Sequence, residues 1–451
     1  MFSVDDVIPM DANAFCWVDD YFAHVSRHFE VREEDALLIV MPNRAVKVNP
    51  SALAILRFMK DGGSVAGLLD RVGADEGRRR DLFYFLCDFR SLISGCLGDG
   101  EGRKAVTVAP HPKVFNVLPV LSEVALTYRC NLRCRFCYAG CGCRGPDLAA
   151  PSEMTTEEIV HVLEIIRRTA KVPSVSFTGG EPLFRDDIVE LTSRAVAIGL
   201  RVNLITNATL LTRGRLAACL SKAGLASAQV SLEGPTADVH EGLTGVPGSF
   251  ADTLAGLTAL REAGIHVHTN TTVTALNAPH LTGLVRLVAS LGLARMSMNM
   301  VIPAGAAEDG SLQISYSDIG GIVEEVRRAA REAGVEFMWY SPTPLCLFNP
   351  LAAGLGNKSC AACDGLLSVS PSGDVLPCSS YPEPVGNLLR EPFETIWNAA
   401  RSRFFRSKAY APAECGGCED FTACAGACPL YWSAMGTGEL AGTRRAIHAV
   451  A

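Results

Sequence analysis

The stretch Cys130-Asn-Leu-Arg-Cys134-Arg-Phe-Cys137 places three thiols within eight residues, directly after the apolar run Val124-Ala125-Leu126-Thr127-Tyr128. This C-x3-C-x2-C spacing, on a turn that leaves a predicted strand, suits one metal cluster, whereas a disulfide would leave one thiol over. A structural zinc site needs four ligands closed around the ion. Three close thiols without an obvious local fourth therefore indicate an iron–sulfur cubane with one open iron.

With Phe136 as the aromatic of C-x3-C-x-aromatic-C, this loop resembles the cluster loop of the radical S-adenosylmethionine (SAM) enzymes. The resemblance implies that the amino and carboxylate groups of SAM chelate the open iron. An electron from the cluster would then cleave SAM to methionine and a 5′-deoxyadenosyl radical. A zinc site or chance clustering is the alternative, and the structural context of the motif decides between them.

The composition is that of a globular chain without export signals. The 451 residues predict two or three domains, and 48% hydrophobic with 20% charged residues excludes disorder. The net charge of −7 gives no basic footprint, so nucleic acid is not expected. Neither a signal peptide nor an 18-residue uncharged apolar window occurs, so no membrane partner is expected. The 17 cysteines favour metal sites in a reducing cytoplasm.

Apolar runs and helical stretches alternate over residues 122–335, which predicts an α/β domain. The runs lie at 124–128, 174–177, 201–205, 228–232, 266–273 and 295–301. The helical stretches lie at 155–169, 185–198, 212–223, 249–263, 279–291 and 316–333. Six βα repeats without a closing pair predict a partial (β/α)6 barrel with helices outside. This is the fold of the resembled family, and the active site is expected at the carboxyl ends of the strands.

Polar segments follow the second, third and fourth predicted strands. In Thr178-Gly-Gly-Glu-Pro182, two glycines permit close backbone approach to a ligand, and the carboxylate can accept from an ammonium group. Thr206-Asn207-Ala208 and Ser231-Leu232-Glu233-Gly234 resemble the family's TNG and S-x-D-G segments, with Ala for Gly and Glu for Asp. The resemblance implies that the first segment binds the amino group of SAM and the others its ribose and carboxylate. The predicted SAM residues are Gly179, Gly180, Glu181, Pro182, Asn207, Ser231 and Glu233.

Five further residues near this edge are weaker candidates or have no predicted role. Cys141 and Cys143 follow the cluster loop and are candidate catalytic residues that could line the substrate pocket, ligate a substrate metal or form a redox pair. The alternative is that both are glycine-rich loop cysteines without a role. Thr272 and Asn277 follow the fifth strand and are weaker candidates for SAM binding. His240 is expected on the surface.

Residues 336–451 contain a second cysteine pattern, which is highly specific. Cys360 and Cys363 precede Gly373-x4-Cys378, and Cys415-x2-Cys418-x5-Cys424-x3-Cys428 follows. A zinc ribbon is the alternative, although x5 followed by x3 does not suit one. The pattern resembles the SPASM extension of radical SAM enzymes. The resemblance implies one auxiliary 4Fe–4S cluster on Cys360, Cys363, Cys378 and Cys428. It implies a second on Cys415, Cys418 and Cys424.

The second auxiliary cluster lacks one cysteine of the family pattern, because no cysteine follows Cys428 in this sequence. The cluster could have an open iron, take a ligand other than cysteine, or be lost; the candidate ligands are Asp420, Glu439 and His448. Cys346 is spare and could fill a site if the chain folds back. The predicted cofactors are SAM, one SAM-binding 4Fe–4S cluster and one or two auxiliary clusters.

Residues 32–98, between an N-terminal segment (1–31) and a linker (99–121), predict a small winged-helix-like α+β domain. Two strands at 36–41 and 45–48 flank a turn, and three helices follow. With Val40-Met-Pro42 and Asn49-Pro-Ser51, the domain resembles the PqqD-like domains that recognise leader peptides. In that family a leader adds as a strand to the hairpin edge. The alternative is a packing appendage without a ligand.

These features predict a cytoplasmic radical SAM maturase that oxidatively modifies a ribosomally made peptide or protein. The expected partners are this precursor and a reductant such as flavodoxin or ferredoxin. An enzyme of haem or cofactor biosynthesis, or a sulfatase-type maturase, would use the same chemistry on another substrate. A non-enzymatic iron–sulfur electron-transfer or scaffold protein is the third alternative, although a scaffold needs no SAM pocket.

Overall fold

The structure is a computed structural model that describes residues 12–42, 44–94, 116–140, 153–212 and 215–442. The chain divides into two compact units, Met1–Val120 and Leu121–Ala451. Within the described residues, no helix combines the length and the apolar character that a membrane span requires.

The N-terminal unit contains a three-stranded antiparallel sheet and helices around one hydrophobic core. Helices α1 to α4 are Val18–Val25, Pro50–Lys60, Val65–Val72 and Glu76–Ile93. Strands β1 to β3 are Phe29–Arg32, Leu37–Val40 and Arg44–Lys47, in the spatial order β1-β2-β3. Helices α2, α3 and α4 begin where the side chains of Asn49, Ser64 and Asp75 accept a hydrogen bond from the first-turn backbone. The predicted hairpin and three helices are confirmed.

Strand β1 and helix α1 were not predicted from the sequence. β1 pairs with β2, so the boundary predicted at residue 32 cuts through a strand. The ring of Phe22 in α1 stacks on Phe89 at 4.9 Å, and Phe29 in β1 meets Phe89 edge-on at 5.1 Å. These aromatic contacts connect residues far apart in the chain, and the local sequence therefore shows no clear period that would reveal them.

A buried ion pair attaches the segment before the second unit to the N-terminal core. Arg32 donates to Asp35 at 2.9 and 2.7 Å and to the carbonyls of Leu118 and Pro119 at 2.9 and 2.6 Å. Asp35 also accepts from the backbone N–H of Val117 at 2.9 Å. Because buried charges are costly unless they are fully hydrogen-bonded, these contacts fix residues 117–119 against the unit.

The second unit is built on a ten-stranded sheet with a parallel βα order. Strands β4 to β10 are Leu121–Thr127, Ser174–Gly179, Arg201–Thr206, Ser227–Ser231, His266–Val273, Arg295–Met300 and Glu336–Trp339. Helices α5 to α11 are Thr156–Glu164, Ile188–Ala197, Leu216–Lys222, Ala237–Thr244, Ser249–Glu262, Leu281–Ser290 and Tyr316–Glu332. A π-helical turn, Ile165–Thr169, continues α5.

The cysteine-rich extension continues this sheet at the β4 edge. Strands β11 to β13 are Leu366–Val369, Asp374–Leu376 and Gly386–Asn387. Helices α12 to α15 are Phe393–Trp397, Ala400–Arg406, Phe421–Cys424 and Pro429–Met435. The strand order is β10-β9-β8-β7-β6-β5-β4-β11-β12-β13, in which β11 is parallel to β4 and the last two strands are antiparallel.

The parallel α/β sheet and its six predicted strands are confirmed, and the sheet extends beyond them at both edges. β10 pairs in parallel with β9 beyond the predicted end of the barrel, and β11 adds a further parallel strand at the opposite edge. These pairings join segments that are not neighbours in the sequence, so the pattern of residues alone does not show them. The C-terminal extension and the barrel therefore share one sheet.

Tyr316, at the start of α11, joins the barrel to the C-terminal helices. Its ring packs on Tyr431 and Trp432 in α15, with centroids 3.9 and 5.1 Å away. Its backbone N–H donates to the Tyr431 hydroxyl at 3.1 Å, and its own hydroxyl accepts from the backbone N–H of Cys428 at 3.3 Å. The barrel thus fixes the backbone of one predicted cluster ligand.

Candidate functional site

A cavity of about 460 Å3 lies at the carboxyl ends of the barrel strands, where the sequence predicted the active site. Cys130, Cys134 and Cys137 all line it. Five of the seven predicted SAM residues line it as well: Gly179, Gly180, Asn207, Ser231 and Glu233. The structure therefore brings the cluster loop and segments from three neighbouring strands to one cavity.

Backbone hydrogen bonds hold the cluster loop from two sides. The N–H groups of Arg133 and Arg135 each donate at 2.9 Å to the carbonyls of residues 244 and 243, at the end of α8. On the other side, the N–H of Ala306 donates to the carbonyl of Cys137 at 2.9 Å. The loop is thus positioned by hydrogen bonds to the rest of the chain.

The chemistry of these thiols fits a positively charged cluster. Burial, with a contribution from the nearby Cys137, raises the pKa of Cys130 to about 11. Burial also raises the pKa of Cys134 well above its ordinary value, with contributions from Glu233 and the other two thiols. Metals bind the thiolate form of cysteine, and burial makes its negative charge unfavourable. A cationic cluster core would offset this unfavourable free energy. Among the described residues, no three His, Cys, Asp or Glu groups are arranged to hold one metal ion.

Gly179 and Gly180 press against the chain that leads into the cluster loop. The N–H of Gly180 donates to the carbonyl of Thr127 at 2.7 Å, and the N–H of Glu181 donates to the carbonyl of Arg129 at 2.9 Å. A Cβ on Gly179 would lie 2.2 Å from the Thr127 oxygen, and one on Gly180 would lie 2.4 Å from the Arg129 oxygen. The close approach predicted for a ligand is thus made by the protein backbone, while both glycines also border the cavity.

Glu181 and Pro182 do not line the cavity. The Glu181 carboxylate is fully buried and accepts from the Thr206 hydroxyl at 2.7 Å, the Asn207 N–H at 2.8 Å and the Leu183 N–H at 3.1 Å. Burial raises its pKa to about 7. The carboxylate predicted to accept from an ammonium group instead holds the end of β6 in place.

Asn207 is fixed by its neighbours at the edge of the cavity. Its Nδ2 donates to Asn131 Oδ1 at 3.1 Å in the cluster loop, and its Oδ1 accepts from the Thr209 N–H at 3.0 Å. The next residue, Ala208, has φ of +61°, which is left-handed backbone. This conformation explains why Gly stands at this position in the resembled TNG segment, since L side chains rarely adopt it.

Glu233 is held at three points around the cavity wall. Its Oε2 accepts from the Thr272 N–H at 2.8 Å, and its carbonyl accepts from Asn277 Nδ2 at 2.9 Å. Its N–H donates to Nδ1 of His240 at 3.1 Å. Thr272 borders the cavity, whereas Asn277 is buried and does not line it; its Nδ2 donates to the backbone carbonyls of Glu233 and Thr272. Burial raises the pKa of Glu233 to about 8.

The prediction that His240 lies on the surface is wrong. The residue lies in α8, which was not predicted, and is only 1% exposed. Its ring packs on Phe250 at 5.6 Å, and within the described structure its Nε2 has no hydrogen-bond partner. Burial lowers its pKa to about 4. His240 is therefore neutral near pH 7 and can accept from Glu233.

We expect His240 to make the apoprotein sensitive to acid. The unfolded state binds a proton below pH 6.5 and the folded state only below about 4, so stability is lost as the pH falls through this window. The loss should reach about 3 kcal/mol. His240→Asn keeps an acceptor for the Glu233 N–H but cannot titrate. Urea unfolding across this window should show that the free energy of unfolding of the variant depends less on pH than that of the unmodified chain. An equal pH dependence of the two proteins would contradict the assignment.

Several cavity residues were missed in the sequence. Gln229, Asn270 and Asn299 lie on β7, β8 and β9 and line the cavity. Asn270 Nδ2 donates to Asn299 Oδ1 at 2.8 Å. Gln229 and Ser231, like Asn270 and Thr272, stand two residues apart, so each pair points to the same face of its strand. That alternation of polar residues within apolar strands is the signal that could have identified them.

The first auxiliary set of thiols converges in the C-terminal extension. Burial raises the pKa of Cys378 well above its ordinary value, with smaller contributions from the nearby thiols of Cys360 and Cys428. Cys363 lies near Cys360, and burial raises its pKa to about 11. The two residues after Cys378, at 379 and 380, line the barrel cavity. Cys378 therefore directly precedes a part of the cavity wall.

Cys415, which belongs to the second predicted auxiliary set, lies near three other thiols, and Cys346 is one of them. Burial and the neighbouring thiols of Cys424, Cys346 and Cys418 raise the pKa of Cys415 to about 11. Glu439, a candidate ligand, instead accepts from the N–H and hydroxyl of Ser317, both at 2.8 Å. Three further candidates lie outside the described residues: Cys141, Cys143 and His448.

A parallel βα sheet with three thiols at its carboxyl edge, followed by a thiol-rich extension, defines an α/β iron–sulfur enzyme. The family model described as the radical SAM superfamily matches residues 124–282, and the SPASM iron–sulfur cluster-binding domain matches residues 360–419. The chain belongs to the radical SAM superfamily and has a SPASM domain. Its cofactors are iron–sulfur clusters and SAM, and the alternative of a non-enzymatic scaffold is excluded.

Relatives in this superfamily have different named activities. The chain is 31% identical over 335 residues to an AdoMet-dependent heme synthase of Methanosarcina barkeri, covering 70% of this chain and 93% of that protein. It is 30% identical over 270 residues to a PqqA peptide cyclase of Rhodopseudomonas palustris, covering 58% of this chain and 67% of that protein. These identities establish the superfamily and leave the substrate open.

Two solved structures share the fold. Streptococcus suis SuiB bound to its precursor peptide SuiA superposes with a TM-score of 0.65 at 15% identity, covering 90% of this chain and 95% of that chain. The structure of anSMEcpe with bound AdoMet superposes with a TM-score of 0.53 at 16% identity, covering 68% of this chain and 89% of that chain. The SuiB match therefore extends over a larger part of the chain.

Proposed function

We propose that this protein is a radical SAM maturase that oxidatively modifies a ribosomally made peptide. The observation that carries the proposal is the separate N-terminal unit with a strand at its edge. The haem synthase relative and the anSMEcpe structure each match about two thirds of the chain, whereas the peptide-bound SuiB structure matches nine tenths. The SuiB match therefore extends into the N-terminal unit, and the precursor peptide bound to SuiB supports a peptide substrate for this chain.

The edge strand β3 offers a binding site for a leader peptide. β3 pairs with β2, and within the described residues no other strand lies at its outer edge. Arg44 and Lys47 are exposed at its ends, and the two residues between them are half-buried. An unpaired edge can accept a further strand through main-chain hydrogen bonds, as in β-augmentation. On this proposal the unit is PqqD-like and binds the leader.

The proposed ligands of the SAM-binding cluster are Cys130, Cys134 and Cys137, which share one cavity with the proposed SAM residues. When bound, the cluster and SAM supply a 5′-deoxyadenosyl radical. The backbone at Gly179 and Gly180 and the side chains of Asn207, Ser231 and Glu233 would orient SAM. Glu181 and His240 would act as positioning residues, because they hold Asn207 and Glu233 without bordering the cavity.

The remaining thiols would hold auxiliary clusters that accept electrons from the oxidised substrate. We place the first cluster on Cys360, Cys363, Cys378 and Cys428; the two residues that follow Cys378 line the cavity. A flavodoxin or ferredoxin in the cytoplasm would supply the electron that starts the reaction. Cys141 and Cys143 follow the cluster loop directly and stay candidates for contact with the substrate.

A photo-crosslinking experiment tests the leader site. Ala45 in β3 is replaced by a photoreactive amino acid, and the full chain is mixed with short peptides encoded by reading frames beside this gene. Replacing Tyr84 on α4, which is 50% exposed, provides the control. The proposal predicts a covalent adduct from the Ala45 variant, and little from the Tyr84 variant. It also predicts that the same peptide stimulates SAM cleavage by the reduced unmodified chain.

A tetrapyrrole substrate is the second candidate, because of the 31% identity to the heme synthase. The same SAM-cleavage assay distinguishes the two candidates when an iron porphyrin replaces the peptide. Stimulation by the porphyrin but not by any peptide, together with no adduct at Ala45, would overturn the peptide proposal. A sulfatase-type maturase would be recognised by stimulation with a Cys- or Ser-containing peptide that gives no adduct at Ala45.

A further inference from the structure

We infer that Cys346 is the fourth ligand of the second auxiliary cluster, and that it completes a set formed with Cys415, Cys418 and Cys424. The family pattern places the fourth thiol after Cys428, whereas Cys346 comes 69 residues before Cys415. The loop that follows β10 brings it to the other three. This inference does not depend on the substrate, so it can fail or hold independently of the proposed peptide chemistry.

A tight turn presents Cys346 to the other thiols. The N–H groups of Leu347 and Phe348 donate to the carbonyl of Pro344 at 2.9 and 3.0 Å, so the chain reverses around Cys346. The Leu345 N–H donates to the Sγ of Cys424 at 3.4 Å. Such donation to sulfur is a recurring feature of thiolate ligands, since hydrogen bonds to the sulfurs tune iron–sulfur clusters.

The turn that carries Cys346 is held on two sides. On one side, the Leu345 N–H donates to the Sγ of Cys424, which is one of the other three thiols. The turn at 344–348 is anchored on the barrel side, where the buried Phe348 packs against Gly320 in α11. Both contacts fix the position of Cys346 close to Cys424 at the end of α14.

The rival ligands fit less well. The carboxylate of Glu439 is engaged by Ser317 and by the Tyr431 hydroxyl. Asp420 immediately precedes α14, and its backbone carbonyl accepts from the Cys424 N–H at 2.9 Å. Its exposed carboxylate is the best alternative within the described residues. Four cysteine ligands would leave no iron open, so this cluster would transfer electrons and would not bind substrate.

Iron content tests the inference in the full chain after anaerobic reconstitution. Three cubanes correspond to about twelve irons per chain. Cys346→Ala should lose about one to four of these irons and, in the oxidised protein, give the paramagnetic signal of a three-iron cluster. Cys219→Ala, which removes an exposed cysteine on α7, and Asp420→Ala should both resemble the unmodified chain. Iron loss in Asp420→Ala but not in Cys346→Ala would overturn the inference.

A second measurement needs no substitution at the site, so it applies even if Cys346→Ala fails to fold. Cys346 and Cys219 are both exposed, so without a cluster both should react with iodoacetamide. In the reconstituted chain, peptide mass spectrometry should find Cys346 protected at least about tenfold relative to Cys219, because a ligating thiolate cannot be alkylated without release from iron. Chelation of the iron should abolish the difference. Equal alkylation in the reconstituted chain would refute ligation by Cys346.

Discussion

Replacing Cys130, Cys134 and Cys137 together by serine is expected to abolish the reductive cleavage of SAM. The three thiols are the cluster ligands proposed in the barrel cavity, and the reaction has no other source of the radical. The loss should exceed about 10⁶-fold, the lower range of enzymatic rate accelerations. The auxiliary thiols lie elsewhere in the unit, so about eight of twelve irons should persist.

Production of 5′-deoxyadenosine by the dithionite-reduced chain measures this loss, and iron analysis measures the clusters. Cys219→Ser is the matched control, because it removes an exposed thiol on α7, remote in sequence from all three cluster-binding segments. It should leave both quantities unchanged. Cleavage that persists in the triple variant would remove these residues as cluster ligands.

Gly179→Ala should disrupt the junction between the cluster loop and the SAM segment. The added Cβ would meet the Thr127 carbonyl oxygen at 2.2 Å, and the backbone at Gly179 has φ of +128°, which side chains rarely adopt. Overpacking and backbone strain each cost about 1–3 kcal/mol, so we expect a loss of about 2–6 kcal/mol in the free energy of unfolding. The neighbouring atom is backbone, so no flexible side chain can move aside.

Urea unfolding of the apoprotein and calorimetric titration with SAM measure the two consequences of this change. SAM affinity should fall at least about tenfold, because a shift of even 1.4 kcal/mol in binding has that effect. Gly321→Ala on α11 is the control: the new methyl would meet nothing within 4 Å, and alanine favours a helix by about 1 kcal/mol. A Gly179→Ala protein as stable as the unmodified chain would show that the close contact is not required.

The cluster loop and the parallel βα order were predictable because both depend on short-range patterns. Three thiols at fixed spacing and apolar runs about one βα unit apart are visible without the fold. The carboxyl ends of parallel strands must meet at one edge, so the sequence also placed Asn207 and Ser231 with the cysteines. The division of the auxiliary thiols into two sets follows from the resemblance to the SPASM extension and stays a prediction.

The features that could not be predicted depend on contacts between distant segments. Glu181 turns towards β6 because the N–H of Asn207 and the Thr206 hydroxyl become available only when the strands pair. His240 lies in an eight-residue helix whose buried face is defined by Phe250 and Glu233. β10 is recognisable only through its pairing with β9.

The wall of the cavity is connected along the chain to both sets of auxiliary thiols. Ser379 borders the cavity and directly follows Cys378, and Pro342 borders it four residues before Cys346. Because a fully extended residue spans at most about 3.6 Å, these cysteines lie within about 4 Å and about 14 Å, Cα to Cα, of the wall. A molecule oxidised in the cavity would thus be separated from the proposed clusters by two short stretches of chain, one after β12 and one after β10.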